Sequence, residues 1–510
     1  MKKIVSILLA LSLSVGTAAA FAGCSNSTSV ANTETDIQFS FWKSGFGDEY
    51  MKATIAAFKE EYPQYNVIFE SSTDGFVFGN TIELGADYNT IDLYATSVID
   101  QPYNEYAEPL DDILTATIPG ESKPIGEKMI PEVRDGMKYS DGHHYGLSSS
   151  GALEGIVYNK EIIDGVKYKV PRTTQELEYL VYSLMDDPEL KNVKPFIHFS
   201  GGGYWNRVYK TWQVQYDGLD YYYNTFLPLK DGDTAPSKNV IVKEDGRKKA
   251  LEVLDRIIST DSVVSGSNGL VYTNAQTMFM NGSAVMMVTG NWLVNEMKSN
   301  TEATATDLKM MKTPVISSIR EKTPSISSDT ELCALIDAID AAESRESIPL
   351  EGTGYKVEQT DLNRVYEARN LMSSNFDGHA FIIPEYSNAK EAAKDFIKFC
   401  YSDTAIKLFY EYTHSAYPAA LSTGTINTDD WLEFEKTAVE LTENSIPILQ
   451  EAVPYRSILF TYGGLKPFGT ADIIGSMSVE RDRKDATALW SEALKHFDNW
   501  DTFLSNAGLK

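Results

Sequence analysis

Trp42, Phe46, Asp74, Tyr94, Tyr204, Trp205, Trp292 and Tyr417 have the types and settings to hold a flat molecule ringed by hydroxyls. Such a molecule offers apolar C–H faces with polar edges, so it needs aromatic plates and converging amides, carboxylates and hydroxyls. Sugars are of this kind. Trp42 and Phe46 lie in the turn Trp42-Lys43-Ser44-Gly45-Phe46-Gly47, and Asp74 precedes Gly75-Phe76 after a strand. Tyr94 ends Ile91-Asp92-Leu93-Tyr94, Trp292 follows Gly290-Asn291, and Tyr417 precedes Pro418. Tyr204 and Trp205 follow Gly201-Gly202-Gly203 in the densest aromatic run of a chain that is 11% aromatic with 29 tyrosines, a large stock of amphipathic rings. The same residues admit a structural reading: Trp205, Tyr209, Trp212 and Tyr216, spaced four, three and four, also describe a buried helical face. Asp377, Gly378 and His379, before a strand, are secondary candidates.

Sharper chemistry is missing from the sequence. H-E-x-x-H, G-x-S-x-G, C-x-x-C and EF-hand patterns do not occur, nor does a G-x-x-x-x-G-K-[ST] phosphate loop. His143-His144 after Asp141-Gly142 reads as a solvated turn rather than a metal site. The chain is therefore expected to be neither an enzyme nor a cofactor or metal carrier. With 72 acidic residues a carboxylate pair can always be found, so an exported glycoside hydrolase stays open. Aromatic boxes also hold cations, which keeps peptides and polyamines open as ligands.

The elements that must position these residues read as α/β. Ile37, Phe39 and Phe41 alternate as a strand, Met51, Ile55, Phe58 and Tyr62 share a helical face ended by Pro63, and Val67–Phe69 starts a second strand. Strand, helix, strand is the unit of a parallel sheet, and the turn after its first strand faces the ligand crevice. Further strands are expected at Ile91–Tyr94, Leu153–Tyr158, Ala284–Val288 and Phe381–Ile383. Helices are expected after the capping-box pair Thr173 and Glu176, through Leu251, Leu254 and Ile258, and from Ser387 or Asn388 with Ala389, Ala392, Phe396 and Phe399 inward. Residues 301–374 read as the least regular part, an insertion of short helices and loops, and the chain from Asp429 on as mostly helical. Cys333 and Cys400 read as small buried hydrophobes.

The N-terminus places the chain. Lys2 and Lys3, an apolar run from Ile4 to Val15, and Thr17-Ala18-Ala19-Ala20-Phe21-Ala22-Gly23-Cys24 form a secretory signal outside the fold. Phe21-Ala22-Gly23-Cys24 resembles the lipobox of bacterial lipoproteins, which implies cleavage before Cys24 and lipid on that cysteine; an ordinary signal peptide cut near Ala18–Ala20 is the alternative. Residues 24–35 are small and polar, a flexible tether. The chain's net charge of −27 becomes −29 once residues 1–23, with two lysines and no acid, are set aside. Such a field argues against nucleic acid as a partner. At 510 residues and 43% hydrophobic the chain can bury several cores.

The order of segments resembles the extracellular solute-binding proteins of ABC importers, the carbohydrate-binding group that includes maltose-binding protein. Ile37–Phe46, Ile91–Tyr94, Tyr145-Gly146-Leu147-Ser148 with Val157-Tyr158-Asn159-Lys160, Pro171–Leu177, Phe279–Trp292, Ala392–Phe399 and Thr413–Pro418 match family segments in order between about residues 36 and 420. Ser148 stands where the family has proline and Thr174 where it has tryptophan. The resemblance implies a type II, two-lobe, hinged α/β fold with the ligand cleft between lobes. The implied division is 36–150 and 379–425 in an N-terminal lobe, and 151–378 and 426–510 in a C-terminal lobe. It further implies capture of a sugar, an oligosaccharide above all, by hinge closure and delivery to ABC permease subunits. The receptor would work as a monomer, lipid-anchored to the outer face of the cell membrane.

Overall fold

The structure, a computed structural model, describes residues 33–75, 77–96, 105–139, 141–200, 203–226, 245–300, 307–449 and 472–496, with 498, 502 and 505. The signal, Cys24 and the tether as far as Asn32 lie outside the described residues.

Along the chain the strands are β1 (Asp36–Trp42), β2 (Asn66–Ser72), β3 (Leu93–Thr96), β4 (Leu147–Ser148), β5 (Leu153–Asn159), β6 (Lys194–Ile197), β7 (Ala284–Gly290), β8 (Leu308–Met310), β9 (Glu351–Gly352), β10 (Tyr355–Lys356), β11 (Leu371–Ser374), β12 (Ala380–Ile382) and β13 (Ile446–Ile448). One sheet has the order β2-β1-β3-β12-β4, the other β13-β11-β5-β7-β6 with β8 beside β5, and β9 and β10 form a separate hairpin.

In the first sheet β1 runs parallel to β2 and β3, with Phe39 opposite Phe69 and Leu93. β12 then returns antiparallel to β3. Ile37, Phe39 and Phe41 are buried while Gln38 and Ser40 are half-buried, so the alternation read from sequence points one face at a core. Helices Glu49–Glu61, Lys390–Cys400 and Asp403–Thr413 supply that core, and Phe58 and Phe396 meet edge to face at 5.0 Å. In the second sheet β5 and β7 are buried along their whole length and pair antiparallel, Glu154 opposite Gly290. A sheet covered on both faces reads as continuous apolar runs. Trp212, fully buried on helix Trp205–Asp217, gives its indole N–H to the Pro314 carbonyl at 3.0 Å. The two sheets with their helices form the two lobes. A third apolar cluster, with Phe78, Tyr94, Ile197, Phe279, Phe376 and Leu449, draws on both.

The chain crosses between sheets at 149–152 and 375–379, and polar side chains tie the crossings together. Ser148 Oγ donates to the Phe376 carbonyl at 2.7 Å, and Ala152 N donates to Asn375 Oδ1 at 2.8 Å. A Cβ on Gly151 would fall 2.5 Å from the Phe376 Cα, so only glycine lets the two crossings touch here.

Several local expectations change. Thr173 caps helix Thr174–Asp186 through Glu176 N, but Glu176 Oε2 accepts from Arg172 N at 2.8 Å instead of closing the box on Thr173. The helix expected at Ser387 begins at Lys390, because Ser387 Oγ accepts from Ala389 N and holds the preceding turn. Residues 307–374 carry two 12-residue helices, Asp329–Asp340 and Gln359–Asn370, the first capped by Ser328, and end in β11 of the second sheet. Among the described residues after Asp429 the chain is mostly helical, as expected, with one short strand, β13, paired with β11. His144 is not solvated: it is buried, with Nδ1 3.0 Å from Asp111 Oδ1 and Nε2 3.0 Å from the Arg134 carbonyl. Cys333 and Cys400 are buried thiols.

Candidate functional site

Where the two sheets' loops meet, the turn after β1 faces the loop after β7. Asn295 Nδ2 donates to the Gly45 carbonyl at 2.9 Å, and the Trp292 side chain lies so close to Gly45 that a Cβ there would sit 2.8 Å from its Cδ1. Tyr204, half-buried ahead of helix Trp205–Asp217, meets Trp292 edge to face at 5.5 Å. Burial, then the charges of Glu154 and Glu296, raises the Tyr204 phenol pKa above its ordinary value.

On the other side of the turn, Trp42 is half-buried at the end of β1 and stacks flat on His379, centroids 4.4 Å apart and planes 6° apart. Gly75 lies beneath the indole, where a Cβ would come 2.8 Å from its Cε2. The turn between is pinned by Asp48: Ser71 Oγ donates at 2.6 Å, Lys52 at 3.0 Å and Lys43 at 3.2 Å. Burial by itself would raise the Asp48 carboxyl, but Ser71 and the two ammoniums hold it well below the usual carboxylate range.

The structure therefore gathers Trp292 and Tyr204 around Gly45, with the Trp42–His379 stack on the same turn. Asp74 is exposed near this stack's rim, its backbone N–H on Ser72 Oγ at 3.0 Å. Trp292 is itself buried, 7% exposed, and joins the first lobe's apolar cluster; the remaining candidates are packed within the lobes. Phe46 is buried against Phe409, and Tyr417 between Tyr401 and Phe409, all in the first lobe's core. Tyr94 is fully buried, its hydroxyl held by Asn89 Nδ2 at 2.7 Å and Thr81 Oγ1 at 2.9 Å. Trp205 packs on Phe196 at 5.1 Å in the second lobe's core, with Tyr209, Trp212 and Tyr216.

One pair was not singled out from the sequence. Glu154 on β5 is 1% exposed, its Oε2 3.1 Å from Arg207 Nε and 3.2 Å from the Ser373 hydroxyl that donates to it. The available signal was an acid inside the otherwise apolar strand Leu153–Tyr158. Among the described residues no group of three or more His, Cys, Asp or Glu side chains could hold a metal ion.

Two α/β lobes joined by paired crossings, with aromatic side chains gathered at their seam, define a binding protein whose cleft lies between the lobes. The family model of the bacterial extracellular solute-binding proteins matches residues 53–433, and the chain belongs to that family. No curated protein of similar sequence matches it. Solved structures share the fold at low identity. An ABC substrate-binding protein from Listeria monocytogenes, in complex with cycloalternan, is 14% identical with TM-score 0.56, over 93% of this chain and 99% of that one. The GacH receptor of Streptomyces glaucescens, solved unliganded and with acarbose, is 13% identical with TM-score 0.56, over 92% and 99%. The RafE binding protein in complex with raffinose is 15% identical with TM-score 0.56, over 90% and 99%. Membership places the chain outside the cytoplasm, and among the described residues no helix is long and apolar enough to cross a membrane.

Proposed function

We propose that this protein is a receptor that captures a sugar, an oligosaccharide above all, between its lobes and delivers it to the permease of an ABC importer. The observation that carries this is the Tyr204–Trp292 pair set against Gly45 of the opposite lobe, with Trp42 on the same turn. Those rings are covered while the lobes touch, and they lie at the seam that a hinge opens and closes, where a flat ligand would meet them. The sugars bound by the neighbours of the same fold support the ligand class. Trp42, Tyr204 and Trp292 are the ring contacts in this reading, and Asp74 a polar one. Residues 36–150 and 379–425 form one lobe, and 151–378 and 426–510 the other. The chain works as a monomer without catalysis, tethered by lipid on Cys24 to the outer face of the membrane.

A thermal-shift screen of the form starting at Ser25 tests the reading, with mono- and oligosaccharides beside peptides and polyamines. A ligand at 100 times its Kd adds about 2.7 kcal/mol. A shift with related glycans that Trp292→Ala abolishes is the expected result; shifts with peptides or polyamines alone overturn the sugar assignment. Labelled palmitate should enter the full chain and not its Cys24→Ala variant, and turnover of a chromogenic glycoside would overturn the binding-only role.

A further inference from the structure

Glu154 and Gly290 are directly opposite in the antiparallel β5–β7 ladder, so their side-chain positions point to the same face of the sheet. A Cβ on Gly290 would run into the six-membered ring of Trp292, which therefore covers that position. The Glu154 carboxylate consequently stands on the face occupied by the Trp292 indole. Arg207 reaches the same spot from the first turn of helix Trp205–Asp217, three residues after Tyr204, whose ring meets Trp292 at 5.5 Å. Glu154 is 1% exposed and the Arg207 side chain 15%, with 3.1 Å between Oε2 and Nε. Ser373, on the strand leading into the second crossing, donates to the same carboxylate oxygen at 3.2 Å.

A buried ion pair is a poor device for stability, because desolvating two charges offsets most of their attraction and apolar residues of the same volume do as well. Its place beside two aromatic rings gives it another use. The pair is closed off while the lobes touch; with them parted, a planar carboxylate accepts from hydroxyls and a planar guanidinium donates to them, so the pair meets neighbouring hydroxyls of one ring while the indole and phenol take its C–H face. The charge of Arg207 is balanced by Glu154 at 3.1 Å, and that of Lys43 at the turn by Asp48 at 3.2 Å. Glu296 adds a second carboxyl near Tyr204, with Gln276 Nε2 donating to it at 2.7 Å.

From this geometry we infer that Glu154 and Arg207 form the polar selector of the cleft and restrict the ligand to uncharged saccharides, excluding uronic acids and sulfated sugars. The inference rests on the sugar-receptor reading and sharpens it. An anionic sugar would enter a site whose positive charge is paired and whose carboxylates repel it.

Calorimetric titration of the form starting at Ser25 tests it, with raffinose, maltotriose, xylotriose and chitotriose against trigalacturonic acid. The expected result is binding of one or more neutral saccharides and none of the acid. Glu154→Gln and Arg207→Met should each weaken that binding tenfold or more. The double variant separates recognition from folding: it removes both charges, so its Tm should recover toward wild type while binding stays lost. Neutral-sugar binding by the double variant within threefold of wild type overturns the selector alone. Trigalacturonic acid binding as tightly as the neutral sugars overturns the ligand class. No saccharide binding to wild type overturns the sugar reading and this inference with it.

Discussion

His379 is the residue whose chemistry is most constrained by its neighbours. It is 6% exposed, stacked flat on Trp42, and burial pushes its imidazole pKa down from 6.5 to about 4. The folded state therefore binds fewer protons than the unfolded state between those values. The stabilising contribution is complete above about pH 6.5 and is lost as pH falls through about 4, worth about 3 kcal/mol at one pKa unit per 1.36 kcal/mol. His379→Phe keeps a flat ring for Trp42 and removes the titration. Urea unfolding at pH 7.5 and 4.0 should show the variant losing less stability on acidification than wild type, and equal losses would show that His379 does not titrate in this window. A second prediction concerns Gly75, which lies under the Trp42 indole with a would-be Cβ 2.8 Å away. Gly75→Ala should push the ring off its stack and weaken ligand binding about tenfold with little loss of Tm, measured by titration and thermal melting.

At the scale of the element, Thr173 joins two helices. Its hydroxyl oxygen caps Thr174–Asp186 by accepting from Glu176 N at 3.2 Å and donates to Asp329 Oδ2, in the first turn of Asp329–Asp340, at 2.8 Å. The side chain is fully buried, so Thr173→Ala removes a cap and strands a carboxylate partner together. A loss of about 2 kcal/mol is expected in chemical denaturation, with Thr173→Ser recovering most of it. This cap was legible in the sequence because capping is local, as were β1 and helix Glu49–Glu61, whose periodicities are set by one buried face each, and β5 and β7, whose continuous apolar runs mark strands buried on both faces. The same locality explains what was not legible. β13 is the three residues Ile446-Pro447-Ile448, too short to show alternation and interrupted by a proline that only an edge strand tolerates. Glu176 turned to Arg172 because that guanidinium, held also by Asp337 on a helix distant in sequence, competes for the carboxylate. Among the site residues, Trp292 and Trp42 stood out by their turns, whereas Trp205 shares its spacing with Tyr209, Trp212 and Tyr216 and is buried with them. The Glu154–Arg207 pair joins residues 53 apart in sequence, and only the β5–β7 register puts it beside Trp292.

For the whole molecule the question is what holds the lobes against each other before a ligand does. Asn295, beyond β7 of the second sheet, donates to the Gly45 carbonyl beyond β1 of the first at 2.9 Å, a bond that exists only while the lobes touch. A ligand shifts a hinge equilibrium only by its differential contacts, and its apparent affinity falls with the fraction of protein in the competent arrangement. Asn295→Ala removes about 1 kcal/mol from the touching arrangement, so the open form gains and the apparent Kd for a bound sugar should rise about fivefold. The scattering radius separates this from damage to the site. Without ligand the variant should be more expanded than wild type; at saturation the two should coincide, because the closed state is the same and only its population has changed. A Kd within twofold of wild type, or a saturated radius that stays larger, would mean that closure is governed by the crossings at 149–152 and 375–379 and not by this contact at the cleft's mouth.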